Sequence, residues 1–129
     1  MKSYLLDTNA FAMALTDDPR LPEQTRQDMV TASRLALSVI SLFELGQKVR
    51  LGKWPEMAPH IGRLGEQARQ DGYDLIPLTA RMAMDAALLD WSHRDPFDRI
   101  IATVARIEGL PLMSSDAAFD ALSIPRNWH

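Results

Sequence analysis

Residues 93–116 read HRDPFDRIIATVARIEGLPLMSSD, and this stretch carries most of the information about the fold. Asp95 followed by proline is typical of a helix N-cap and first helical position. The residues that follow predict a helix over 97–108, which Gly109 ends. The apolar run 111–113 then predicts a short strand. A helix followed closely by a buried strand is typical of α/β folds.

The rest of the chain repeats this alternation of short apolar strands with helices. Strands are expected at 4–6, 35–40, 75–78 and 111–113, with a weak edge strand near 123–124. Helices are expected at 9–15, 22–33, 41–51, 60–70, 79–91 and 97–108, with one further short helix in the tail. Such alternation predicts right-handed crossovers and a parallel sheet. We therefore expect an α/β fold, a three-layer α/β/α sandwich around a parallel sheet of four to five strands.

Composition narrows the classes of protein. The chain has 129 residues, of which 47% are apolar and 24% charged, which suits a single domain over 1–129. The absence of cysteine excludes disulfides, thiolate metal sites and cysteine nucleophiles. We see no signal peptide and no run of the roughly 20 apolar residues that a membrane span needs. These features predict a cytoplasmic protein without membrane association.

Four acidic residues that are far apart in sequence are predicted to meet. Asp7 follows the first strand, and Asp116 follows the fourth. Glu44 lies on the first turn of the helix after the second strand, and Asp98 lies on the first turn of its own helix. Ligands of open α/β sheets bind beyond the carboxyl ends of the strands. Carboxylate oxygens are the ligands that Mg²⁺ and Mn²⁺ prefer. The pattern predicts a divalent-metal site that activates water for phosphodiester chemistry.

Each acid alone also has a local structural interpretation. Asp7-Thr8-Asn9 fits an Asx-type turn, Ser41-x-x-Glu44 a capping box, and Asp116 a cap or turn. The negative charge of Asp98 would interact favourably with the dipole of the helix that Asp95 caps. None of these interpretations explains why all four acids fall at one edge of the sheet, and a capped helix end is also a rigid platform for ligands.

Other polar residues are candidates for supporting the acids or contacting substrate. They are expected to orient carboxylates or metal-bound water: Thr8, Asn9, Ser41, His93, Asp95, Arg99 and Ser114. His93 could serve as ligand or general base, although a structural or substrate-side role is preferred because oxygen ligands are already present. The three tryptophans are interpreted as packing rather than as base-stacking platforms.

Four motifs together resemble the PIN domain, and in particular the VapC-type toxin of bacterial toxin–antitoxin pairs. They are DTNAF after the first strand, SxxEL from Ser41, HRDPFDRIIATVA from His93 and LPLMSSD from Leu110. The resemblance spans nearly the whole chain, and HRDPFDR is its most specific part. It implies an endoribonuclease using Mg²⁺ or Mn²⁺, cutting structured RNA such as tRNA or rRNA, and neutralised by a cognate antitoxin.

The resemblance also assigns residue roles. It makes Asp7, Glu44, Asp98 and Asp116 the acidic quartet and leaves Asp95 outside it. It places Arg99 near the scissile phosphate or an antitoxin contact, and it implies a homodimer. A metal-activated water would then attack in line, leaving a 5′ phosphate.

Other classes fit less well or stay open. A haloacid-dehalogenase-like phosphatase needs a second acid where Asn9 stands. A phospho-acceptor receiver module needs a lysine late in the chain, and none follows Lys53. Two alternatives stay open: a PIN nuclease of RNA processing outside a toxin–antitoxin pair, and a non-catalytic metal-binding interaction module.

Overall fold

The computed structural model describes residues 2–129. The elements in chain order are β1 (Ser3–Leu6), α1 (Thr8–Leu15), α2 (Glu23–Thr31), β2 (Arg34–Ser38), α3 (Val39–Arg50), a first 3₁₀ helix (Pro55–Arg63), α4 (Leu64–Gln70), β3 (Tyr73–Ile76), α5 (Ala80–Leu88), α6 (Pro96–Glu108), β4 (Leu112–Met113), a second 3₁₀ helix (Ala117–Leu122) and β5 (Arg126–Asn127). None of the helices between residues 2 and 129 has the length and apolarity needed to cross a bilayer.

The strands form one parallel sheet in the order β3-β2-β1-β4-β5. In the centre of this sheet, Leu6 of β1 is in register with Leu37 of β2 on one side and Met113 of β4 on the other. The carboxyl ends of these three strands therefore lie side by side. The predicted α/β fold with a parallel sheet is confirmed, and the sheet has five strands.

Alternate residues of the central strands face two separate cores, which makes the three layers. Tyr4 and Leu6 pack on one face of the sheet against α1, α3, α4 and the first 3₁₀ helix. Leu5 and Ala36 pack on the other face against α5, α6 and the second 3₁₀ helix. Because side chains alternate across a strand, one short apolar strand serves both cores. Each layer of helices is thereby fixed relative to the carboxyl edge.

The boundary between β2 and α3 differs from the sequence prediction. The strand was expected to run to Ile40, but it ends at Ser38, which is the N-cap of α3. The Ser38 hydroxyl accepts a hydrogen bond from the amide of Ile40 at 3.2 Å. Val39 and Ile40 are apolar and β-branched, and periodicity cannot separate such a short run from a buried helical turn. The helix therefore begins two residues earlier than predicted.

Other boundaries shift for identifiable reasons. The predicted strand 75–78 lies at Tyr73–Ile76 because Pro77 has no amide proton to donate to the ladder. The predicted helix 60–70 is α-helical only from Leu64, and a 3₁₀ helix precedes it. The helix capped by Thr79 ends at Leu88 rather than residue 91. The edge strand lies at Arg126–Asn127 rather than 123–124, because Ser123 adopts a left-handed conformation that ends the second 3₁₀ helix.

Candidate metal centre

Asp7 is buried at the point where β1 passes into α1. Its carboxylate caps α1 by accepting a hydrogen bond from the Ala10 amide at 2.8 Å. The Ser114 side chain, which follows β4, lies close enough to the Asp7 carboxylate to lower its pKa. The Ser114 hydroxyl accepts a hydrogen bond from the Asp116 amide at 3.0 Å. Ser114 thus connects the acid after β1 to the acid after β4.

The Asp7 carboxyl has an unusual affinity for a proton. Burial raises its pKa from 3.8 to about 6, and the hydrogen bonds from Ser114 and Ala10 oppose this rise only in part. The charges of Asp98 and Glu44 raise the pKa further. Carboxylates from three elements therefore repel one another across a short distance, in an environment poor in water. A bound cation would relieve that repulsion.

Glu44 is buried on the second turn of α3, where two side chains hold its two oxygens. The Thr8 hydroxyl donates to Oε1 at 2.6 Å. The Lys48 ammonium lies 3.1 Å from Oε2, one helical turn further along α3. The Lys48 nitrogen also lies 5.5 Å from the centre of the Trp54 ring. Glu44 is thus fixed by α1 on one side and by its own helix on the other.

The interpretation of Ser41-x-x-Glu44 as a capping box is wrong. Ser38, not Ser41, caps the helix. The Ser41 side chain is buried, with its hydroxyl 2.9 Å from that of Thr8. Because α3 begins earlier than predicted, Ser41 and Glu44 lie inside the helix and face α1. Thr8 and Ser41 therefore support the Glu44 carboxylate, whereas Asn9 is exposed to solvent.

Asp98 lies in the first turn of α6 and faces the segment that precedes the helix. Its Oδ2 is 2.7 Å from Nε2 of His93. Burial raises the pKa of the Asp98 carboxyl, the hydrogen bond to His93 opposes the shift, and the charge of Asp95 adds to it. Asp95 is the N-cap of α6 and accepts hydrogen bonds from the amides of Phe97 and Asp98. Asp95 is thus engaged with the helix end.

Asp116 follows β4 and caps the second 3₁₀ helix through the amide of Ala118 at 2.9 Å. One ligand atom from each of His93, Asp98 and Asp116 can be chosen so that all three lie within 4.8 Å of one another. Among residues 2–129, these three side chains form the one group of acidic and histidine residues that is spaced closely enough to share a metal ion. Asp7 and Glu44 are not part of this trio, but the charges of Asp98 and Glu44 raise the pKa of Asp7, and the charge of Glu44 raises the pKa of Asp98.

The donors of Arg99 are bound to the main chain rather than free for the phosphate or antitoxin contact that the resemblance implies. Its guanidinium makes five hydrogen bonds, all to main-chain carbonyls of the segment 86–93. A guanidinium has five N–H donors. No donor of Arg99 is left for a phosphate or a partner protein, so its role in this structure is to hold the segment that carries His93 onto α6.

Trp91 adds a second attachment to the same segment. Its ring stacks on the His93 ring at 4.6 Å between centroids and packs against Phe119 at 5.5 Å. Phe119 is fully buried in the second 3₁₀ helix, the helix that Asp116 caps. The aromatic rings therefore connect the Asp116 side of the site to the Asp98 side. Trp91, like Trp54 and Trp128, packs against a core, as the sequence predicted.

Replacing Arg99 by Lys should destabilise the protein although the charge is kept. An ammonium has three donors without the planar geometry, so at least two carbonyls lose their partners. We expect a loss of about 2–3 kcal/mol in the free energy of unfolding, measured by urea titration. Arg94→Lys is the matched control, because Arg94 is exposed, and it should change stability by less than about 0.5 kcal/mol. Equal stability of the two variants would contradict the proposal that Arg99 holds the segment 86–93 onto α6.

A family model adds an independent result. The model of the PIN domain matches residues 4–125. The chain belongs to the PIN domain family. The resemblance inferred from the DTNAF and HRDPFDR motifs is thus confirmed for the family. No curated protein matches the chain in sequence.

Solved structures share the PIN fold at low sequence identity. VapBC2 from Rickettsia felis, bound to a promoter DNA fragment, is 20% identical with a TM-score of 0.72, over 98% of this chain and 99% of that one. FitAcB from Neisseria gonorrhoeae is 23% identical with a TM-score of 0.69, over 95% of each chain. DNA-bound VapBC from Salmonella typhimurium is 21% identical with a TM-score of 0.68, over 98% and 96%. At these identities the comparison establishes the fold.

Proposed function

We propose that this PIN domain is a metal-dependent endoribonuclease and the toxin of a type II toxin–antitoxin pair. The observation that carries the proposal is the close spacing of His93, Asp98 and Asp116, with Asp7 near enough for the charges of Asp98 and Glu44 to raise its pKa. It supports the assignment of Asp7, Glu44, Asp98 and Asp116 as one acidic site. Structural relatives that come from toxin–antitoxin complexes support the toxin assignment. We place the protein in the cytoplasm, with structured RNA such as tRNA or rRNA as the substrate.

The donor set fits Mg²⁺ or Mn²⁺. It consists of hard carboxylate oxygens, and the raised pKa of Asp7 indicates that the metal-free cluster bears a cost that a cation would remove. Asp98 and Asp116, which have ligand atoms within 4.8 Å of one another, would hold the ion, and Asp7 and Glu44 would complete the acidic site. When bound, the ion would activate a water molecule and neutralise charge on the phosphate.

The protein's own residues divide the remaining work. Asp7 and Asp116 are positioned by helix caps, and Ser114 holds them in register. Thr8 and Lys48 fix the orientation of Glu44. In the metal-free site, Nε2 of His93 is within hydrogen-bonding distance of Asp98. Attack of water on the phosphodiester would expel the 3′ oxygen and leave a 5′ phosphate. A rigid arrangement of this kind lowers the barrier because little reorganisation is needed during reaction.

We also propose a homodimer and a cognate antitoxin that covers the acidic edge. Exposed Lys53 and Arg94, with Arg50, supply positive charge for the RNA backbone. Structured RNA is recognised largely through its shape and backbone. A local group of basic residues can make such contacts even though the whole chain has a net charge of −3.

Sequencing of RNA ends after induction tests the function. The chain should arrest growth and create new 5′-phosphorylated ends, and coexpression of a small partner encoded beside it should restore growth. Asp7→Asn should produce neither effect, whereas Glu108→Gln, an exposed change at the far end of α6, should behave like the parent. Strong induction without new RNA ends would overturn the nuclease. New ends without growth arrest would favour RNA processing over a toxin.

A further inference from the structure

His93 occupies the position of a ligand rather than that of a remote support. Its Nε2 lies 2.7 Å from Oδ2 of Asp98. Two ligands at about 2.1 Å from one ion stand about 3 Å apart when they are cis. The distance between these two atoms is therefore close to that of neighbouring ligands in one coordination sphere.

Asp116 completes the same set of donors. One of its carboxylate oxygens lies within 4.8 Å of a ring nitrogen of His93 and of a carboxylate oxygen of Asp98. Ligands that are trans across one ion stand about 4.2 Å apart. The upper bound of 4.8 Å on the three separations is only slightly larger than this distance, so small side-chain rotations would bring the three atoms onto a common ion.

The His93 ring is held in place before any ion binds. Arg99 fixes the main chain at Trp91 and His93 through their carbonyls at 2.8 and 2.9 Å. Trp91 stacks on the imidazole, and Phe119 supports Trp91 from the core. The hydrogen bonds from Arg99 to the main chain and the stacking of Trp91 hold the imidazole so that its Nε2 faces Asp98. These contacts thus hold a nitrogen donor at the candidate metal centre.

We propose that His93 is a direct metal ligand together with Asp98 and Asp116, and that this mixed nitrogen and oxygen set selects Mn²⁺ over Mg²⁺. The inference rests on the metal site of the proposed function. Both ions prefer oxygen ligands, but Mn²⁺, as a first-row transition ion, accepts an imidazole nitrogen in its coordination sphere more readily than Mg²⁺ does. An acidic quartet alone would distinguish the two ions poorly. His93 therefore supplies the preference.

Pulsed electron paramagnetic resonance of Mn²⁺ bound to the full chain, without RNA, tests the ligand directly. The spectrum should show the coupling of a directly bound ¹⁴N nucleus, and His93→Gln should abolish it. His60→Gln is the matched control, because His60 lies in the first 3₁₀ helix, away from the acids, and it should keep the coupling. Bound Mn²⁺ without nitrogen coupling in the parent chain would overturn the inference and leave the proposed nuclease intact.

Calorimetric titration gives a second readout that needs no activity. His93→Gln should weaken Mn²⁺ binding by at least about 10-fold and Mg²⁺ binding by less than about 3-fold. An equal effect on both ions would overturn the selectivity. If neither ion bound to the parent chain, the metal site itself would be absent, and the proposed function would fail with the inference. The two failures are thereby distinguished.

Discussion

Replacing Asp98 by Asn should lower the rate of RNA cleavage about 10³-fold, equivalent to about 4 kcal/mol of lost transition-state stabilisation. Asp98 contacts His93, shares the ligand-spaced trio with Asp116 and acts electrostatically on Asp7. The amide keeps the size of the side chain but removes the charge that would hold a cation. The loss should therefore exceed that of any single change outside the site.

The measurement is single-turnover cleavage of RNA with saturating Mn²⁺, in which product release does not limit the rate. Glu108→Gln removes one carboxylate from the same helix at its exposed far end, so it should cleave at the parent rate. Urea unfolding should show both variants folded. If Asp98→Asn cleaved RNA at the parent rate, Asp98 would have no role in catalysis. The assignment of the four acids as one catalytic site would then be contradicted.

The metal-free protein should become less stable as pH rises through about 6, and Asp7→Asn should remove part of this dependence. Burial raises the pKa of Asp7 to about 6 in the folded chain, above its ordinary value of 3.8. The folded state therefore holds the proton more tightly than the unfolded state. Its contribution to stability is fully present below pH 3.8 and is lost as pH rises through about 6.

The shift from 3.8 to about 6 corresponds to about 3 kcal/mol over the whole window, of which about half falls between about pH 5 and pH 7.5. Asparagine caps helices as well as aspartate does, so Asp7→Asn should keep the hydrogen bond from Ala10. In EDTA near pH 7.5 the variant should be the more stable protein. Its advantage should shrink towards pH 5, where the parent carboxyl regains its proton.

Other carboxyls change with pH in both proteins, so the quantity to compare is the difference in unfolding free energy between parent and Asp7→Asn. The raised pKa of Asp98 acts in the same direction and stays in both. Addition of Mn²⁺ near pH 7.5 should stabilise the parent by relieving the repulsion and should stabilise the variant less. If the difference in unfolding free energy between parent and variant stayed constant from pH 5 to pH 7.5, the raised pKa of Asp7 would be contradicted.

The fold could be predicted because its signals are local. Gly109 ends α6 in a left-handed conformation, Asp95 and Thr79 cap their helices, and short apolar strands alternate with helices throughout. The boundary at Ser38 could not be predicted, because a β-branched pair fits either a strand end or a helix start. That shift moved Glu44 from the first helical turn to the second and changed the role of Ser41.

Parts of the site depend on tertiary contacts that sequence patterns do not report. The spacing of Glu44 and Lys48 by four residues is a signal for their ion pair that was available in the sequence. The hydrogen bond between Thr8 and Glu44 joins two helices and has no such signal. The five bonds of Arg99 require the chain to turn back at residues 89–93, so a motif position next to an acid gave the wrong expectation.

The most direct test of the central claim is anomalous X-ray diffraction from crystals of the full chain grown with Mn²⁺. The strongest manganese peak should lie among the Asp7, Asp98 and Asp116 carboxylates, at about 2.1 Å from oxygens of at least two of them, with Glu44 bound directly or through water. Well-occupied manganese elsewhere on the protein, with nothing bound between these carboxylates, would contradict the claim that the four acids form one metal centre.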